Sequence, residues 1–136
     1  MTTSPRRILL LCSSPLMALR ISIYLDAQPN VELQSFRGIE GALLEERRDA
    51  DVIIVVSKLG EFDDTARVQQ IRQEWPSNVK IILITELLYR KQKIHNRTEV
   101  NGHVYLFWYF QTKDELVDLI EQHLGQELNY QVRQTP

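Results

Sequence analysis

Cysteine is almost missing from this chain. Cys12 is alone among 136 residues, so no internal disulfide can form, and the composition fits a reducing compartment, with the cytoplasm as the expected location. Long apolar runs are missing too. The longest are strand-length, well short of the roughly 20 residues a membrane-spanning helix needs. Residues 1–7 carry two arginines ahead of Ile8-Leu9-Leu10-Leu11-Cys12, but that run is shorter than a secretory core and no small-residue cleavage site follows it. Charge of one sign is equally scarce. Sixteen Lys and Arg against 18 Asp and Glu leave a formal net charge of -2, which gives no general pull toward nucleic acid or an anionic membrane. Asn96-Arg97-Thr98 has the form of a glycosylation acceptor, which in a reducing compartment is coincidence. No repeat or low-complexity segment interrupts the chain.

What is present is the composition of one globular domain, 43% hydrophobic and 25% charged, expected to span 1–136 with a core over 6–125 and a polar tail over 126–136. Its centre is Val52-Ile53-Ile54-Val55-Val56-Ser57, an unbroken β-branched run typical of a parallel strand covered on both faces. Strand and helix signals alternate around it. A buried strand over 7–12 precedes Ser13-Ser14-Pro15, a hydroxyl cap with proline at the first helical position. Leu16, Leu19 and Ile23 are expected to carry that first helix, with Met17 and Ile21 filling in. Residues 31–36 read as an edge strand, Gly38 opens a second helix, and Asp63-Asp64 caps a third that leads to Trp75 and stops at Pro76.

A fourth strand over 79–85, a basic helix over 87–97 and an aromatic fifth strand over 104–110 follow. Thr112-Lys113-Asp114-Glu115 is a capping-box pattern opening the last helix, which ends at Gly125. Five such units with right-handed crossovers predict an α/β fold: a three-layer, doubly wound, parallel five-stranded sheet in the order 2-1-3-4-5. Ligands of such sheets sit at the carboxyl ends of the strands beside the order reversal. The candidate pocket is therefore Cys12, Ser13, Ser14, Val56 and Ser57, with Thr85 and Trp108 at the ends of the next two strands.

This order of elements resembles the receiver domain of bacterial response regulators over residues 6–125. The resemblance implies an acidic pair after strand one that holds a divalent cation, and a phosphorylated aspartate ending strand three. It also implies a Thr or Ser ending strand four, an aromatic in strand five, and a lysine and proline just beyond. Here the acidic-pair positions fall on Cys12-Ser13-Ser14, the phosphoacceptor position on Val56 or Ser57, and the lysine-proline positions on Trp108-Tyr109. Only Thr85 and Tyr105 match, and they form the expected switch-like pair. Glu61, Asp63 and Asp64 follow strand three and read as a helix cap with first-turn acids. The expectation is a pseudo-receiver, flavodoxin-like in fold, with no metal, no cofactor and no enzymatic activity.

What remains is a surface. Helix four brings Arg90, Lys91, Lys93, His95 and Arg97; strand five brings Tyr105, Phe107, Trp108, Tyr109 and Phe110; helix five brings Asp114, Glu115, Asp118 and Glu121. Aromatics and arginine are the residue types that anchor interfaces. An acidic helix beside a basic one is self-complementary under a two-fold axis, so a homodimer or a docked protein partner is expected. Two alternatives stay open. Ile8 to Ser14 is similar to the cysteine loop of the cellobiose-type IIB components of sugar phosphotransferase systems, which implies a phosphocarrier thiolate at Cys12. The stretch from Arg90 to Arg97, beside aromatics, could track a single-stranded nucleic acid.

Overall fold

The computed structural model describes residues 6–45, 49–58, 64–75, 79–86, 95–100 and 103–125. The elements are β1 (Arg6–Cys12), α1 (Pro15–Asp26), β2 (Val31–Phe36), α2 (Ile39–Leu43), β3 (Val52–Lys58) and α3 (Asp64–Glu74). They continue through β4 (Lys80–Glu86), β5 (His95–Val100), β6 (His103–Phe110) and α4 (Lys113–Leu119), which runs on into a π-helical turn, Ile120–Leu124. The sheet order is β2-β1-β3-β4-β6-β5. Its first five strands are parallel neighbours in the expected order, with β6 standing where a fifth strand was predicted.

The sixth strand corrects the sequence reading. Residues 95–97, assigned to the end of a basic helix, belong to β5, which pairs antiparallel with β6 from His95↔Trp108 to Val100↔His103. The rest of that expected helix, 87–94, lies outside the described residues. A signal for the hairpin was present: Asn101-Gly102 separates the two strands in sequence, and Asn-Gly is a strong hairpin dipeptide because both residues accept positive φ.

Period-two alternation sends each parallel strand's side chains to two cores. Ile8, Leu10, Cys12, Val52, Ile54, Val56, Ile82, Ile84, Leu106, Trp108 and Phe110 face one side, under α1 and α4. Leu9, Leu11, Ile53, Val55, Ile81 and Leu83 face the other, under Ile39 and Ala42 of α2 and Ile71 of α3. Ser14 caps α1 by accepting a hydrogen bond from the Met17 amide at 3.5 Å, with Pro15 at the first helical position. The helix then turns Met17, Ile21 and Leu25 inward. Leu16, Leu19 and Ile23, expected to be its core stripe, point outward at 61%, 57% and 62% exposure. Both stripes have helical spacing, and only one can face the sheet.

At α4, Thr112 accepts from the Glu115 amide at 3.2 Å, while the Glu115 carboxylate accepts from the Gln111 amide at 3.1 Å. This is a capping box displaced by one residue from its usual backbone donor. At the amino edge of the sheet Arg7, only 6% exposed, ties three strands together. Its Nε donates to the Asp49 carbonyl and its guanidinium to Gln34 Oε1, both at 2.8 Å, and its amide donates to Asp51 Oδ2 at 2.8 Å.

Candidate functional site

The strand register sorts the predicted pocket residues into transverse rows. Cys12 lies level with Val56, Val56 with Ile84, and Ile84 with Trp108. All four turn into the core beneath α1 and α4, at 4%, 3%, 0% and 2% exposure. Cys12, Val56 and Trp108 were expected to line a pocket, and the alternation of the sheet buries them instead. The Cys12 thiol donates to the Ser14 carbonyl at 3.4 Å, so it faces the core and its own loop, where a phosphocarrier needs an accessible thiolate. Trp108 meets the His123 ring in a tilted contact, with centroids 6.2 Å apart.

One step toward the carboxyl edge come Ser57, Thr85 and Tyr109, again level with one another. By alternation Thr85 and Tyr109 fall on the α2 and α3 face. Thr85 is buried and Tyr109 half-buried; the Ser57 side chain lies outside what is described. The expected pairing of Thr85 with Tyr105 is corrected here. Tyr105 lies level with Ile81, roughly 13 Å down the strand from Thr85 at about 3.3 Å per residue. β6 extends to Phe110, so the aromatic beside Thr85 is Tyr109. Ser13 is exposed beyond the end of β1, and Ser14 is spent on capping α1.

The last row is Lys58, Glu86 and Phe110, and it supplies a carboxylate that the sequence reading missed by ending strand four at Thr85. Glu86 lines a cavity of about 210 Å³ together with Ser14, Leu16, Met17, Arg20, Lys113 and Leu116. A divalent cation, as the receiver resemblance implies, does not fit these residues. Magnesium has to exchange hydration for carboxylate oxygens, and here one carboxylate shares its cavity with the two cations Arg20 and Lys113. Among the described residues no three His, Cys, Asp or Glu side chains gather as a metal site. Glu61 and Asp63 lie outside the described residues, and of Asp64 only the backbone is described.

The expected interaction face is also rearranged. Trp108 and Phe110 are core residues at 2% and 1% exposure, and β5 covers the edge of β6 that was to be presented. Tyr105 and Phe107 lie on β6, with side chains outside the description, and Arg97 lies on β5. Arg90, Lys91 and Lys93 lie outside the described residues. On α4, Asp114 is exposed and Asp118 half-buried, and Glu121 is exposed on the π-helical turn that follows.

A second concave feature runs between α1 and α4. It is a groove of about 260 Å³ with apolar walls from Ile23, Tyr24, Val117 and Ile120, and it has Arg20 and Glu121 at its lips. Arg20 also borders the cavity beneath Glu86, so the two concavities follow the same pair of helices. Leu16 borders the first and Ile23 the second, and with Leu19 between them they form an outward ridge on α1. Among the described residues no helix is long and apolar enough to cross a membrane.

No protein-family model matches the chain, and no curated protein matches it significantly. Solved structures do match. One is the signal receiver domain of an HD domain-containing protein from Pseudomonas fluorescens Pf-5. It is 23% identical with a TM-score of 0.55, over 94% of this chain and 93% of that one. Another is the response regulator domain of CheB from Thermotoga maritima, 14% identical with a TM-score of 0.57, over 93% of this chain and 98% of that one. With its five parallel strands in the same doubly wound order, the chain has the fold of a receiver domain.

Proposed function

We propose that this protein is a signalling or regulatory module of receiver type that acts by protein contact and without aspartyl phosphorylation. The fold supports a signalling role by its likeness to solved receiver domains. The carboxyl edge of the sheet supports the loss of phosphoryl chemistry. The position that would hold a phosphoacceptor carries Val56 or Ser57, and the position of an acidic pair carries Cys12, Ser13 and Ser14. A valine has no nucleophilic atom, and a serine hydroxyl needs an adjacent base to attack phosphorus.

The observation that carries the contact reading is the apolar ridge on α1. Leu16, Leu19 and Ile23 recur at helical spacing and are each more than half exposed, and Ile23 also walls an apolar groove. Contiguous exposed apolar surface marks interaction sites on soluble domains. The contact face is thus the side formed by α1 and α4, in place of the aromatic strand face expected from sequence. The test is affinity capture of the cellular partners with the wild type and with Leu19→Glu. Leu19 is solvent-facing, so the fold is preserved, and the variant is expected to lose partners that the wild type retains. If both retrieve the same proteins, this face is not the contact.

A further inference from the structure

We infer that the ridge on α1 is covered by a second copy of this chain, in a two-fold homodimer built on the α1 and α4 side of the sheet. The inference rests on the contact reading above and names its partner. Three features point to a copy. First, ridge and groove lie side by side on one surface, which is what an isologous interface requires: the same patch must be both donor and acceptor of side chains. A two-fold axis near Leu19 runs two α1 helices antiparallel across one another. The Leu16 end of each then lies over the groove beside Ile23 of the other.

Second, the charges at the groove are complementary between copies. Arg20 and Glu121 border the same groove and have opposite sign, yet no ion pair joins them or engages either with another described residue. The antiparallel crossing brings Arg20 of one copy toward Glu121 of the other, twice in each dimer. Opposed charges at an interface rim fix register and orientation. Third, Leu16 to Ile23 spans two turns, roughly 10 Å of helix, and the groove is walled along its lower part by Ile23, Tyr24, Val117 and Ile120. A short ridge meeting a short groove gives an interface at the small end of the stable range, so association is expected in the micromolar regime.

The experiment is sedimentation equilibrium of the full chain from low to high micromolar concentration at low salt. It compares the wild type with Leu19→Glu, Arg20→Glu, Glu121→Arg and the Arg20→Glu, Glu121→Arg double variant. All three positions are exposed, and thermal melts check that each variant stays folded. The wild type is expected to show a monomer-dimer equilibrium. Leu19→Glu is expected to weaken it at least about tenfold, because at the two-fold axis it sets the carboxylates of the two copies against each other in an apolar contact. Each single charge reversal is expected to weaken association, and the double reversal to restore it.

A wild type that stays monomeric throughout overturns the proposal, as does a dimer indifferent to Leu19→Glu. A double reversal no better than the single ones also overturns it, because the crossing would then be wrong. The contact reading fails separately. A monomer that captures another protein through Leu19 loses the second copy and keeps the contact, whereas a dimer through Leu19 with no other partner keeps both.

Discussion

Replacing Trp108 by alanine separates its two possible roles. As an interface anchor it would leave the isolated chain as stable as before, within the roughly ±0.5 kcal/mol of a surface change. As a core residue at 2% exposure, enclosed between β4, β5 and the layer of α1 and α4, it must cost much more. A buried Trp removes on the order of 250 Å² from water. At about 25 cal/mol/Å² that corresponds to about 6 kcal/mol as an upper bound, since the unfolded chain already hides part of this surface. Alanine keeps a small part of the contact and neighbours relax partly into the space, so about 4 kcal/mol is expected, within the range for such truncations.

The corresponding shift follows from chain length. At roughly 2.1 cal/mol/K per residue, the 136 residues give an unfolding entropy of about 0.29 kcal/mol/K, so Tm should fall by about 14 °C. Thermal and urea melts followed by far-UV circular dichroism read this directly. Trp108→Phe keeps an aromatic ring in the same slot and should fall by less than half as much. A shift under about 3 °C for Trp108→Ala would refute the placement of this ring in the core, and with it the register of β6.

Two further outcomes are expected. Arg7→Met keeps the apolar stem but removes two buried donors, to the Asp49 carbonyl and Gln34. The cost should be about 3 kcal/mol in urea melts. It should change little with salt, because the ion-pair partners Glu32 and Asp49 are 44% and 57% exposed and well screened. Cys12, at 4% exposure, should resist iodoacetamide in the native state and react only as the fold opens. Rapid labelling at neutral pH would revive the phosphocarrier reading.

The sheet was largely legible because its strands are long apolar runs with β-branched side chains, and a run such as residues 52–56 has few other places to go than between two helical layers. Strand order followed from the alternation with helices and the handedness of crossovers. β5 was missed because His95-Asn96-Arg97-Thr98-Glu99-Val100 has almost no apolar content. Its strand character comes from pairing with β6 and from the Asn-Gly dipeptide between them, a tertiary and a turn signal.

The phase of α1 was missed for a different reason. Leu16, Leu19 and Ile23 satisfy the helical period as well as Met17, Ile21 and Leu25 do, and periodicity cannot choose between two stripes on one helix. The site was less legible than the fold. Family positions counted along β6 chose Tyr105, whereas the pairing with β4 puts Tyr109 beside Thr85. Glu86, Arg20 and Lys113 went unnoticed because they come from three separate elements and meet only in space. Sequence showed which acids were missing from the strand ends, and only the packing showed which charges took their surroundings.

The most direct measurement is the intact mass of the protein after incubation with a small-molecule phosphoryl donor and magnesium, beside an active receiver domain as control. The expected result is an unchanged mass for this chain while the control gains one phosphoryl group. A gain of one phosphoryl group here, removed by hydroxylamine as an acyl phosphate would be, would contradict the account.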